Sequence, residues 1–398
     1  MFDTKSSPMN QGQRKMVSLD PSRTGRDATE LESSLRRMIV GQDEAIEQIV
    51  NIYQMHLTGM NPPGRPIGNF LFLGPTGTGK TRIVEATAEA LVRNPRAVIK
   101  IDCGEFQHSH EIAKLIGSPP GYLGHRETHP LLSQETLSQY HTDTMKVSFV
   151  LFDEIEKASD SLWNLLLGIL DKGTLTLGDN RKVDFSRALI FMTSNLGAAE
   201  MSQITTPRLG FGSLHALEAA VSRVDEKLGQ KVEKTGLDAA KRKFTPEFIN
   251  RLDKIVVFKP LGEGQLRRIL DLELNMVQQR VFNTGSDRPF VFTTTHAAKE
   301  LFMKEGVDPK YGARHLKRAI ERLLVQPLSN LMATDQIRSG DWIEVDATDS
   351  EFSFQRRDER LPIQAMAELV DLSVDLPLST LANAFGAEPV KATRARRG

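Results

Sequence analysis

The sequence predicts an α/β fold: a parallel five-stranded sheet between helices, followed by a smaller, mainly helical C-terminal domain. Three observations carry that prediction. Five short apolar runs, 70–73, 97–101, 147–152, 188–192 and 255–258, are separated by helical stretches, and such alternation places the strands parallel with helices on both faces. Gly74-Pro75-Thr76-Gly77-Thr78-Gly79-Lys80-Thr81 follows the first run directly and opens a segment where Val84, Ala88 and Leu91 recur at i, i+4 and i+7. Beyond Pro260 the texture changes to amphipathic helices, one marked by Leu266, Ile269, Leu270 and Leu274, another by Leu316, Ala319, Ile320, Leu323 and Leu324.

In chain order, residues 1–27 are polar and hold too little apolar surface to offset the entropy of ordering them, so they read as a flexible arm without an apolar export signal. The large domain spans 28–259. Its first stretch, 28–56, is helical and is interrupted by Val40-Gly41-Gln42-Asp43-Glu44-Ala45, and Asn61-Pro62-Pro63-Gly64 breaks the pattern before the first strand. The small domain spans 260–357, and Gly340-Asp341-Trp342-Ile343-Glu344-Val345-Asp346 near its end reads as an edge strand entered through a turn. The rest, 358–398, is a tail with one short helix at 363–372 and a basic end, Arg394-Ala395-Arg396-Arg397.

Composition narrows the classes of function. Of 398 residues 39% are hydrophobic, enough to bury a sizeable core, and no run approaches 18 apolar residues. Lys plus Arg equals Asp plus Glu at 51 each, so no global field draws the chain to nucleic acid or an anionic membrane. Cys103 is the only cysteine, which excludes an internal disulfide framework and a cysteine zinc site and fits a reducing cytoplasm.

The glycine stretch has the strand–loop–helix context of a P-loop. Its glycines let backbone N–H groups turn around phosphate oxygens, the helix N-terminus adds partial positive charge, Lys80 reaches the β/γ-phosphates and Thr81 can ligand Mg²⁺. The second half of that site is Phe149-Val150-Leu151-Phe152-Asp153-Glu154, where a buried strand ends in adjacent carboxylates. Neighbouring strand residues point opposite ways, so Asp153 is assigned to Mg²⁺ and Glu154 to activation of the attacking water. His125, His129 and His141 lie in a long polar stretch, 125–146, without closely spaced co-ligands, and read as a solvated loop rather than a metal site.

The order of P-loop, Asp153-Glu154, Thr193-Ser194-Asn195, Asn250-Arg251 and Gly312-Ala313-Arg314 resembles the AAA+ ATPases. Ile39-Val40-Gly41-Gln42-Asp43, Gly117-Ser118-Pro119-Pro120-Gly121-Tyr122-Leu123-Gly124, Thr193-Ser194-Asn195-Leu196-Gly197 and Phe244-Thr245-Pro246-Glu247-Phe248-Ile249-Asn250-Arg251-Leu252-Asp253 narrow the resemblance to the second ATPase module of the Clp unfoldases, such as ClpA, ClpB and ClpC, over about 30–355. The resemblance implies ATP and Mg²⁺ as cofactors, with Val40 facing the adenine, Asn195 polarising the attacking water, Arg314 contacting the γ-phosphate from the small domain, and Arg251 reaching a neighbouring subunit's site. It further implies a hexameric ring that threads polypeptide, gripped by Tyr122 and Leu123 in a pore loop, with a second loop at 175–184 lining the same channel. Leu209-Gly210-Phe211 resembles the tripeptide with which some Clp unfoldases dock on a ClpP-like peptidase. Relative to the family pattern, no first ATPase module, no large N-terminal domain and no recognisable coiled-coil middle domain is expected within these 398 residues. A nucleic-acid motor or loader is the rival reading, favoured by the basic tail and opposed by neutral charge and the Tyr122 loop. A regulatory ATPase switch is opposed by the presence of both carboxylates and both arginines.

Overall fold

A computed structural model of the chain describes residues 18–118, 129–205, 218–283, 289–307, 312–348, 351–362 and 365–366. Two helices, α1 (Arg26–Met38) and α2 (Asp43–Leu57), precede β1 (Gly68–Leu73), α3 (Lys80–Val92) and β2 (Val98–Asp102). The short α4 (Ala113–Ile116) and α5 (Gln134–Ser138) lead to β3 (Ser148–Asp153), α6 (Asp160–Lys172), the ribbon β4 (Thr174–Thr176) and β5 (Lys182–Asp184), and β6 (Ala188–Ser194). Then come α7 (Ala198–Thr205), α8 (Glu218–Lys243), α9 (Pro246–Ile249) and β7 (Lys254–Val257).

The five strands predicted from the apolar runs form one parallel sheet in the order β2-β3-β6-β1-β7. Side-chain alternation splits its burial between two cores. Phe70 and Phe72 of β1 join Phe149, Leu151, Leu189 and Phe191 under α1, α2 and α3, where Phe70 stacks on Phe191 at 5.1 Å. Leu71 and Leu73 face the other way, with Val150, Phe152, Ile190 and Met192, toward Leu162, Leu166, Ile169 and Leu170 of α6. Apolar residues on both faces explain why these runs are continuous rather than alternating.

A third core belongs to the C-terminal part: α10 (Glu263–Asn283), β8 (Val291–Thr294), α11 (His296–Gly306), α12 (Ala313–Ile320), a π-helical turn at Glu321–Val325, α13 (Gln326–Ala333), β9 (Trp342–Ala347) and β10 (Phe352–Asp358). The predicted edge strand is instead central. β9 pairs parallel with β8 and antiparallel with β10, and its Ile343, Val345 and Ala347 point into the core. Its partners are separated from one another by more than fifty residues, a pairing that local pattern does not reveal.

The stretch 125–146 also differs from a solvated loop where it is described. Leu132 and Leu137 are buried in the sheet's core, Ser133 caps α5 through Thr136 N–H, and His141 Nε2 lies 2.9 Å from Ser148 Oγ. Burial first, and then the charge of Arg187, hold the His141 imidazole below its ordinary pKa. Of the short helix expected at 363–372, only residues 365–366 are described, and Met366 is buried against Phe282 and Val291. Among the described residues no helix is long and apolar enough to cross a membrane.

Candidate functional site

The loop after β1 turns through positive φ at Gly74 (139°), Gly77 (79°) and Gly79 (99°), which L side chains rarely adopt. Gly74 is also a close approach: a Cβ there would lie 2.5 Å from the Phe258 carbonyl oxygen. Thr78 Oγ donates to Pro75 O at 2.9 Å and closes the loop on itself. Lys80 opens α3, and its ammonium is held inside the loop, donating to Gly74 O at 2.6 Å, Pro75 O at 2.9 Å and Asn195 Oδ1 at 3.0 Å. Burial lowers the Lys80 pKa to about 8, against the opposing pull of Asp153, Glu156 and Glu154.

The ends of β3 and β6 are stitched together beside this loop. Thr193 Oγ donates to Asp153 Oδ1 and accepts from Glu154 N–H at 3.1 Å. That second bond holds Glu154 in a left-handed backbone (φ 55°), a strain of roughly 1–3 kcal/mol that turns its carboxylate off the strand. Asn195 Nδ2 donates to Glu154 Oε1 at 3.1 Å, and Lys157 Nζ pairs with Oε2. The Asn195 amide therefore bridges the phosphate-loop lysine and the carboxylate assigned to water activation.

These groups line one cleft of about 630 Å³ between the large and small parts. At its polar end are the loop residues Thr76 to Thr81 with Asp153, Glu154, Thr193 and Asn195; at its apolar end are Ile39, Val40, Leu261, Ile269 and Met276. Arg314, in the first turn of α12, lines the same cleft, and its charge acts on Lys80. Gly312 brings it there: it adopts φ 52°, a Cβ on it would lie 2.9 Å from Gly77 O, and Ala313 N–H donates to Gly77 O at 3.3 Å. The donor set fits a nucleoside triphosphate with its divalent cation: a loop of backbone N–H groups and one lysine for phosphate, Thr81 and Asp153 for a hard cation, and an apolar slot for a base.

Each sequence-predicted nucleotide residue is thus placed. Val40, Thr76, Gly77, Thr78, Gly79, Lys80, Thr81, Asp153, Glu154, Asn195 and Arg314 share the cleft, with Gly74 and Pro75 forming the root of its loop. Arg251 does not line it. It sits after α9, paired with Glu247 (3.1 Å) and Asp171 (3.9 Å), while its carbonyl accepts from Asn69 Nδ2 at 3.2 Å and Arg65 Nη2 at 3.3 Å. Tyr122, Leu123, Leu209, Gly210 and Phe211 lie outside the described residues. The stretch 175–184 is the β4–β5 ribbon, with Leu175, Leu177 and Val183 in the core, and Gly178 N–H donates to Ile116 O at 2.8 Å at the root of the segment that carries Tyr122.

Three groups escaped the reading of the sequence. Gln42 is buried and clips the phosphate loop to the connection toward α10, donating to Thr78 O (3.1 Å) and Lys259 O (3.0 Å) and accepting from Lys259 N–H (3.3 Å). Asn69 and Asp253 fix the Arg251 turn, with Asp253 Oδ2 accepting from Asn69 N–H at 2.8 Å. Glu156 accepts from Asn195 N–H at 3.1 Å. Gln42 stands inside the quoted 39–43 motif, but its burial shows only in the structure.

The model of an AAA domain (Cdc48 subfamily) matches residues 65–255, and the model of the C-terminal, D2-small domain of ClpB protein matches 261–345. The chain is 36% identical over 324 residues to the chaperone protein ClpB of Rhodopirellula baltica, covering 81% of this chain and 34% of that protein. It is 37% identical over 324 residues to the ATP-dependent Clp protease ATP-binding subunit ClpC of Staphylococcus saprophyticus, covering 81% and 37%. The structure of a Saccharomyces cerevisiae Hsp104:casein complex is similar with a TM-score of 0.68 at 28% identity, covering 83% of this chain and 52% of that one. The chain spans about a third of the length of these curated relatives.

Proposed function

The chain belongs to the Clp family of AAA+ ATPases, and from that membership we propose that it is an ATP-driven protein unfoldase or translocase working as a hexameric ring. One observation carries the proposal: Lys80, Asp153, Glu154, Asn195 and Arg314 converge on a single cleft, while Arg251 lies outside it, paired with Glu247 and Asp171. A subunit arranged this way holds a nearly complete hydrolytic site and offers an arginine to another, which makes turnover depend on assembly.

Within a subunit the phosphate loop and Lys80 bind and neutralise the β- and γ-phosphates, and the Ile39–Val40 edge with Ile269 and Met276 encloses the base. Thr81 and Asp153 would hold Mg²⁺, which supplies charge neutralisation on the phosphate oxygens when bound. Glu154 takes the proton of the attacking water, Asn195 orients that water and the carboxylate together, and Arg314 carries the response of the small domain. Tyr122 and Leu123 are the residues assigned to grip an extended polypeptide, because a flat aromatic contacts chains of any sequence. The Hsp104 structure similar to this chain was solved with casein, which supports a polypeptide substrate. Leu209-Gly210-Phe211 is carried forward as the docking tripeptide for a ClpP-like peptidase. Cytoplasmic residence agrees with a buried, free Cys103.

The test pairs ATP turnover with loss of fluorescence from a tagged folded reporter. Glu154→Gln should bind ATP and hydrolyse it about 10²–10⁴-fold more slowly. Tyr122→Ala should hydrolyse ATP and fail to unfold. Equal unfolding by wild type and Tyr122→Ala removes the threading role, and ATPase stimulation by DNA but not by unfolded casein replaces the reading with a nucleic-acid motor.

A further inference from the structure

Asn195 is the junction of the hydrolytic site, since one side-chain amide reaches Lys80 and Thr76 through Oδ1 and Glu154 through Nδ2. Its own backbone lies just past the end of β6, where the ladder that pairs Phe152 with Met192 has run out. A strand-end N–H at this depth needs a partner. The partner is not another strand but a carboxylate: Glu156 Oε1 accepts from Asn195 N–H at 3.1 Å.

We propose that Glu156 is a positioning residue for ATP hydrolysis, its carboxylate fixing the Asn195 backbone so that the Asn195 amide spans Lys80 and Glu154. The inference rests on the hydrolytic reading of the cleft. Glu156 belongs to the 3-10 turn Ile155–Lys157, which follows Glu154 immediately, and the turn is anchored by Ile155, fully buried in the core. The turn therefore carries Glu154 on one side and a clamp for Asn195 on the other. The Glu156 contact thus ties the backbone that follows β6 to the turn that follows β3, next to the water-activating carboxylate. The remaining carboxylate oxygen, Oε2, is buried and has no hydrogen-bond partner among the described residues. The chemistry needed is hydrogen-bond acceptance at a fixed reach, which Gln retains, Asp is one methylene too short to supply, and Ala lacks.

The experiment uses the full chain with Glu156→Ala, Glu156→Gln and Glu156→Asp, each alone and the first also combined with Asn195→Ala. Nucleotide affinity is read by equilibrium binding of a fluorescent ATP analogue, and kcat and KM by phosphate release. Glu156→Ala should lower kcat by about 10–100-fold, as a misplaced reacting geometry does, with nucleotide affinity unchanged within threefold, roughly the context scatter of a removed contact. Glu156→Gln should restore kcat to within about threefold of wild type, and Glu156→Asp should not. In the Asn195→Ala background, Glu156→Ala should have no further effect, because the two act through one amide. Wild-type kcat in Glu156→Ala overturns the inference, as does a Gln variant as slow as the Ala variant, or full additivity with Asn195→Ala. Loss of nucleotide binding in Glu156→Ala, with Glu156→Gln equally unable to bind, makes the residue part of the framework and also overturns it. If wild type itself releases no phosphate, the hydrolytic reading fails and the inference falls with it, an outcome distinct from all of the above.

Discussion

Because burial lowers the Lys80 pKa to about 8, its charge is titrated within the range where the protein can be assayed, and nucleotide affinity should follow it. A phosphate-bound lysine is protonated, so a free protein whose Lys80 is neutral must take up a proton from solution before or during binding. The sign is therefore fixed: affinity is full well below pH 8 and falls as pH rises through it. From a pKa of about 8, roughly three-quarters of Lys80 side chains are charged at pH 7.5 and about one in eleven at pH 9. The ratio of those fractions predicts an affinity about eightfold weaker at pH 9, on the order of 1 kcal/mol. Few other groups can mimic the effect. Burial pushes the nearby Cys103 thiol far above its ordinary value. The assay is equilibrium binding of a slowly hydrolysed fluorescent ATP analogue between pH 7.5 and 9, for wild type, Lys80→Met and Lys80→Arg. Lys80→Met should bind weakly and without pH dependence, and Lys80→Arg should lose the pH dependence because guanidinium does not titrate. A flat wild-type profile, or an eightfold decline that persists in Lys80→Met, would refute the argument.

Two further predictions concern what holds the cleft. Gln42→Leu removes three hydrogen bonds and leaves Thr78 O, Lys259 O and Lys259 N–H to find other partners, which should cost about 2–4 kcal/mol and weaken nucleotide binding, measured by denaturant unfolding and by the same binding assay. Stability unchanged within 0.5 kcal/mol, about the scatter for a surface substitution, would show that the clip is dispensable. Gly74→Ala and Gly79→Ala separate collision from backbone strain. Both positions have positive φ, but only at Gly74 would the new Cβ meet a carbonyl, at 2.5 Å, whereas nothing lies within 4 Å at Gly79. Gly79→Ala should cost about 1–2 kcal/mol and Gly74→Ala clearly more, so equal melting temperatures would contradict this account.

Much of the protein follows from local pattern. Five apolar runs separated by helices determine a parallel sheet because both faces of each strand must be covered, and all five strands pair as the runs suggest. The phosphate loop is equally legible, since its chemistry needs glycines, Lys80 and Thr81 at contiguous positions, and Asp153-Glu154 ends a buried strand that its composition already marks. What tertiary structure alone decided are pairings across long sequence separations. β9 is central because β8 and β10 arrive from either side, and two partners cannot be read from one strand's alternation. Gln42 bonds to Lys259, 217 residues away, Glu156 to Asn195, 39 away, and Asn69 to the Arg251 carbonyl, 182 away. Hydrophobic periodicity records which side of an element is buried, but a polar side chain leaves no periodic trace of its partner. For that reason the residues assigned to phosphate and to the attacking water were visible in the chain, and the residues that hold them in place became visible only when the chain was folded.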